Sequence, residues 1–288
     1  MISLKEVAEK TYAMDVRIDR VETAFTVYFI SEGKGLLIEP GPTAMIPSIQ
    51  EAMKRLGMTD LAYIIPTHIH MDHAGAIGSL AWLFPHAKVL LHPLGAKHAI
   101  DPSRLIKSTK MAFGDDFERF YGPILPVPQS QAVTPSDGET FSINGRELQV
   151  IHTPGHAPHH LSIFDQKTKG LFSGEALGVP TPGATLSPVP AAAPPSFDME
   201  DYLKTMEKLR QLRPQVLFYS HDGVGRNPEE LISAVVANTK IVGDIILKAL
   251  KEGMTDVVIR SRLRQEVGVD DEISVTGFIL YFKKRGLA

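Results

Sequence analysis

Thr67-His68-Ile69-His70-Met71-Asp72-His73-Ala74-Gly75 is the stretch that decides how this sequence is read. Three histidines and one aspartate crowd into it, directly after residues 61–65, an apolar run suited to a buried strand. Neutral imidazole and carboxylate are natural ligands of zinc and iron. At a strand end, side chains can point alternately two ways. His68 and His70 could then share one metal ion, while Asp72 and His73 turn toward a second. A helix would not place i and i+2 on one side. The alternative is a polar loop with histidines there by chance. Their density, and their place where a buried strand emerges, argue against it.

Upstream, residues 15–19 alternate like a strand. Residues 24–30 and 35–39 are apolar, and Ser31-Glu32-Gly33-Lys34 between them signals a hairpin. Pro40-Gly41-Pro42 breaks the chain, and 46–56 has helical spacing. Downstream, 74–83 reads as a helix and 89–92 as a strand. Residues 101–133 give a helix around 105–113, then a Pro-broken loop. Strands follow at 139–143, 147–152, 160–165 and 171–173, with the turn dipeptide Asn144-Gly145 between the first two. Residues 178–196, rich in Pro, Ala and Gly, read as loop. Long irregular segments beside a site usually carry specificity, so 178–196 and 101–133 are expected to line a substrate entrance. Asp198 is placed to cap a helix running to about 212, and 216–219 is a last strand. After Gly225 the composition changes. A long amphipathic helical pattern covers 228–250, with further helices at 255–266 and 271–284.

The chain has 288 residues, a formal net charge of −3 and no Lys/Arg run, so it lacks the basic footprint of a nucleic-acid binder. It has no cysteine, which removes disulfides and thiolate chemistry. The start, MISLKEVAEK, has no apolar signal-peptide region, and no stretch is apolar for long enough to span a bilayer. A cytoplasmic protein is the expectation.

His-x-His-x-Asp-His after a strand resembles the signature of the metallo-β-lactamase superfamily, over about the first 225 residues. The later motifs fall in that family's order: His152-Thr153-Pro154-Gly155-His156, then Leu171-Phe172-Ser173-Gly174-Glu175-Ala176-Leu177, then Tyr219-Ser220-His221-Asp222-Gly223. The resemblance implies a four-layer αββα sandwich over residues 1–225, with a C-terminal helical extension over 226–288. It implies that His68, His70 and His156 bind one metal ion and Asp72, His73 and His221 a second, with Glu175 between them. It further implies a bridging water or hydroxide as nucleophile, and Asp72 as both ligand and proton relay. Two departures stand out, since the family's usual aspartates are replaced by Glu175 and by Glu39. The latter is expected to fix a histidine ligand.

What the resemblance implies for function is a dinuclear metal-dependent hydrolase of a small ester, lactone or thioester, of the lactonase and glyoxalase-II-like branch. Two divalent ions are the expected cofactors, zinc first, with iron or manganese as alternatives. The expected partners are a small-molecule substrate and a second copy of the chain, with neither nucleic acid nor membrane. A di-iron redox or oxygen-sensing protein on the same fold is the alternative. His70 stands where flavodiiron proteins carry Glu, which argues against that alternative.

Of the other histidines, His86 and His98 read as surface residues. His92 ends a strand near the site, His152 packs under its loop, and His160 is a candidate for supporting a ligand. Tyr219 reads as a buried strand residue, and the apolar residues between 111 and 121 as core. The helices from Pro228 hold no histidine and are expected to carry no chemistry.

Overall fold

The computed structural model describes residues 3–17, 24–114, 117, 121–181 and 185–288. Its first sheet has seven strands in sequential order: β1 (Ser3–Ala8), β2 (Thr11–Val16), β3 (Phe25–Ile30), β4 (Leu36–Ile38), β5 (Tyr63–Ile65), β6 (Lys88–Leu90) and β7 (Ala132–Val133). The β1–β4 pairs are antiparallel and the β4–β7 pairs parallel. The second sheet has six strands: β8 (Thr140–Ile143), β9 (Arg146–His152), β10 (Leu161–Asp165), β11 (Gly170–Gly174), β12 (Val216–Tyr219) and β13 (Val224–Gly225).

The period of two along each strand divides the core into three layers. In β3, Tyr28 and Ile30 face the second sheet, where Leu148, Val150, Ile163, Phe172 and Phe218 meet them. Val27 and Phe29 point outward with Leu37 and Ile64. They pack on α1 (Ile46–Arg55), α3 (Ile77–Leu83) and α4 (Pro93–Ile100), through Ile49, Leu80 and Ala96 among others. On the far side, Ile151, Phe164, Leu171 and Leu217 meet α6 (Met199–Gln211), α7 (Pro228–Lys251), α8 (Asp256–Val267) and α9 (Glu272–Lys284). Tyr202, Val242, Leu263 and Phe278 are the helical contributors there. Each such side chain is worth about 1.5–3 kcal/mol of burial, so both faces of both sheets are committed. The result is an αββα sandwich with C-terminal helices docked on the second sheet.

Most expected elements are present. Asn144 (φ 49°) and Gly145 (φ 81°) make the β8–β9 turn with both residues left-handed. The Asp198 carboxylate accepts from the Glu200 and Asp201 N–H groups. The differences have physical reasons. β1 was not legible because it is an edge strand with a largely exposed pattern and charged residues. The strand expected at 15–19 lies earlier, at Thr11–Val16, and residues 18–19 fall outside the described ones. α4 begins at Pro93 and is capped by the His92 ring, which accepts from the Leu94 N–H. The motif loop tightens into a helical turn, α2 (Met71–Ala74), within the expected loop. α5 (Ser103–Phe113) follows, and its Leu105 packs against the outer layer of the core. Among the described residues, no helix is long and apolar enough to cross a membrane.

Candidate metal centre

The segments leaving β4, β5, β9, β11 and β12 converge at one edge of the sandwich. They deliver Glu39, the 68–73 motif, His156, Glu175 and His221. All seven residues expected as ligands come together, in two groups: His68, His70, His156 and Glu175 in one, Asp72, His73 and His221 in the other.

In the first group the donor atoms stand close enough to share one ion. His68 Nε2 lies 2.9 Å from His70 Nδ1, and His156 Nε2 lies 3.2 Å from each of them. Glu175 Oε2 is 3.4 Å from His68 Nε2 and 3.0 Å from His156 Nε2. A tetrahedral ion with ligands at zinc distances would set neighbouring ligand atoms about 3.3 Å apart. The donor set therefore fits a divalent cation. In the second group, His73 Nε2 is 3.3 Å from Asp72 Oδ2 and 3.3 Å from Glu175 Oε2. That nitrogen is buried between the two carboxylates. His221 Nε2 stands 3.9 Å from both Asp72 Oδ2 and Glu175 Oε1. Glu175 thus turns one oxygen to the first group and the other to His221.

Electrostatics sorts these groups. Burial, then His73, His70 and His156 around it, push the His68 imidazole well below the usual histidine value. Burial and His156 bring His70 down to about 4. Both rings are therefore neutral at neutral pH, each with one nitrogen lone pair that can bind a cation. For His73, burial disfavours the cation, but Asp72 and Glu39 outweigh it and raise the value well above the ordinary one. Burial opposes charge on Asp72 and Glu175 too. His73 on the former, and His156 with His73 on the latter, hold both carboxyls well below their usual range. Anionic oxygens facing imidazole nitrogens call for positive charge, and a divalent ion meets that demand.

Supporting contacts fix most of the rings. The His73 Nδ1–H donates to Glu39 Oε2 in a short contact, and Glu39 Oε1 accepts from the Thr67 N–H at 2.6 Å. Glu39 holds this position at φ 57°. His68 Nδ1 meets the Thr67 hydroxyl at 3.0 Å. The His156 Nδ1–H donates to the Ala191 carbonyl at 3.0 Å. His160 is fully buried; its Nε2 accepts from the Glu175 N–H at 3.2 Å, so its Nδ1–H donates to Thr153 Oγ1 at 2.7 Å. Gly174 (φ 55°) permits this approach, since a Cβ there would lie 2.5 Å from Thr67 Oγ1 and 2.6 Å from His160 Nε2. His221 differs, because its Nδ1 is buried with no hydrogen bond.

The other histidines divide. His92 packs on His152, with ring centres 4.2 Å apart, and His152 Nε2–H donates to the Pro135 carbonyl; neither joins the two groups. His86 is exposed and His98 half-buried. His159 lies edge-on to His70, with ring centres 5.6 Å apart. Tyr219 is buried in the core, as expected. Phe117 is buried and Met111 exposed, while residue 120 lies outside the described ones. Burial, then Asp72, raise the Tyr121 phenol above its ordinary value.

Sequence reading missed Tyr202. Its hydroxyl donates to the Glu175 carbonyl (2.8 Å) and accepts from the Gly178 and Ala191 N–H groups (3.0 and 3.2 Å). No local spacing signals a contact made across so many residues. Gly155 (φ 130°) was a usable hint, because a Cβ there would lie 2.3 Å from the Tyr202 Cα.

Residues 22–221 match the sequence profile of the metallo-beta-lactamase superfamily. A metallo-beta-lactamase fold-containing protein of Sulfurisphaera tokodaii is 29% identical over 167 residues, 57% of this chain and 61% of that one. A hydroxyacylglutathione hydrolase of Aeromonas hydrophila is 28% identical over 149 residues, 51% of this chain and 43% of its own length. The structure of a metallo-beta-lactamase family protein from Thermus thermophilus superposes with a TM-score of 0.75 at 20% identity, covering 98% of this chain and 95% of that one. With the profile spanning more than two thirds of its length and the two donor groups at the shared sheet edge, this chain belongs to the metallo-beta-lactamase superfamily.

Proposed function

We propose that the chain is a dinuclear metal-dependent hydrolase of a small ester, lactone or thioester. The observation that carries this reading is Glu175, whose two oxygens reach both donor groups at 3.0–3.9 Å. The similarity to a hydroxyacylglutathione hydrolase supports thioesters as one substrate class. The three-imidazole, one-carboxylate set suits zinc or iron, and we put zinc first.

Bound divalent ions would supply Lewis acidity toward a substrate carbonyl and lower the pKa of water. The chain's own groups do the rest. His68 and His70, held neutral, act as lone-pair donors. Glu39 fixes His73, and His160 with Tyr202 fixes the Glu175 main chain. The Asp72 carboxylate is about a third exposed, the most accessible of the ligand carboxylates. It can accept a proton from the attacking water and return it to the leaving oxygen or sulfur. The small-molecule substrate and a homodimer belong to the same proposal.

Metal analysis of protein purified without chelator, followed by a panel of esters, lactones and thioesters, tests it. Two equivalents and turnover lost with a chelator are expected. Absence of turnover across the panel in a fully loaded protein would overturn the hydrolase reading.

A further inference from the structure

The helices from Pro228 contribute no ligand, yet one of them reaches the metal centre through a single peptide group. The His156 Nδ1–H donates to the carbonyl of Ala191 at 3.0 Å. The N–H of that same peptide unit, on Ala192, donates to Ser274 Oγ of α9 at 3.1 Å. A peptide is planar, so its carbonyl cannot turn without its N–H. The Ser274 hydroxyl and the His156 ring therefore hold opposite ends of one rigid plate.

The surroundings leave this plate little freedom. Ala192 is buried, and its carbonyl lies against α9 at Gly277, where a Cβ would come within 1.9 Å. Only a residue without a side chain lets the helix approach so closely. Upstream, the Ala191 N–H is held by the Tyr202 hydroxyl at 3.2 Å, and the Pro188 carbonyl by Asn238 of α7 at 2.9 Å. Val179 and Val189 pair backbone to backbone at 2.8 and 2.9 Å. The segment at 188–192 is thus a strap clamped between the C-terminal helices and the first donor group. Ser274 itself is buried, on the core-facing side of α9.

We propose that Ser274 is a positioning residue for His156, acting through the 191–192 peptide, and that the C-terminal helices are thereby a structural part of the metal centre. The hydroxyl aims the Ala191 carbonyl at Nδ1. That carbonyl fixes the tautomer with the proton on Nδ1 and directs the Nε2 lone pair at His68, His70 and Glu175. The inference rests on the metal-binding reading given above.

The test is titration of the metal-free full-length chain with Co(II) alone, in competition with a chelator and read by visible absorption. In Ser274→Ala the first group should bind Co(II) roughly tenfold more weakly, at the low end for a group that orients a ligand. Its absorption bands should shift. The second group should bind as in the wild type, because Glu39 holds His73 in a contact that does not involve the strap. Ser274→Thr, which keeps the hydroxyl, should restore affinity and spectrum. Val275→Ala removes buried apolar bulk from the same helix while keeping the Ser274 hydroxyl, and should leave Co(II) binding unchanged. Wild-type affinity and bands in Ser274→Ala would overturn the proposal. An equal loss in Val275→Ala would also overturn it, by tying affinity to stability alone. No Co(II) binding by the wild type would instead sink the metal-binding reading itself.

Discussion

Glu39→Gln is the most informative single substitution at the centre. The carboxylate accepts two hydrogen bonds, from His73 Nδ1–H on Oε2 and from Thr67 N–H on Oε1. Both partners are donors, and both lie in a buried place; Glu39 is 4% exposed and His73 1%. Glutamine keeps the shape but offers one acceptor and one donor. Whichever way the amide turns, one contact becomes donor against donor. An unmade buried hydrogen bond costs about 1–3 kcal/mol, so the metal-free variant should lose stability of that size. It should also lose the charge that, with Asp72, holds the His73 proton. Partners that fix a ligand are typically worth about 10–100-fold in metal affinity. The second group should therefore weaken by that factor, and the first group by less, since Glu39 reaches His68 only through Thr67 and His156 has its own contact with the Ala191 carbonyl. Stepwise Zn(II) titration against two chelators of different strength resolves the two affinities. Equal loss at both groups, or no loss at either, would refute the assignment of Glu39 to His73.

Glu175→Ala should uncouple the two ions and remove most activity, while Glu175→Asp should retain binding with shifted affinities, both read by metal titration. Asp72→Asn should fold, keep at least one ion and lose about 10²-fold or more in kcat; recovery of the rate on adding excess metal would contradict a proton-relay role. The pH dependence of metal-free stability follows from the histidines. His68, His70 and His160 have folded values below the ordinary one, through burial and then neighbouring imidazoles. The unfolded chain binds their protons first, so stability falls as pH drops below about 6.5, by up to about 1.4 kcal/mol per pH unit for each ring. His73 has the opposite sign. Its stabilising contribution is complete below about 6.5 and is lost as pH rises through its raised folded value. Urea midpoints of chelator-treated protein between pH 5 and 9 should pass through a maximum, and a flat profile would contradict these shifts.

Legibility in the sequence followed the range of the interaction that made each feature. The helical pattern over 228–250 and the cap at Asp198 depend on neighbours a few residues away, and both appear nearly where expected. The candidate ligands were legible because His68, His70, Asp72 and His73 share one short loop, and the later candidates follow recognisable motifs. The supports were not. Glu39 could be placed only by resemblance, while the Tyr202 hydroxyl, the Ala191 carbonyl and Ser274 act across the fold, with no spacing rule to announce them. β1 stayed hidden because an edge strand need not be apolar. The 178–196 loop was expected at a substrate entrance. Its 188–192 part also supports His156, because the Ala191 carbonyl accepts from His156 while the Ala192 N–H donates to Ser274.

The central claim is that two adjacent donor groups each hold an ion, with Glu175 between them. A crystal structure of the metal-loaded protein, with anomalous diffraction recorded at the absorption edge of the bound metal, tests it most directly. The account predicts two peaks, one among His68, His70 and His156 and one among Asp72, His73 and His221, with the Glu175 carboxylate reaching both. A single peak at full loading, or Glu175 turned away from both ions, would contradict it.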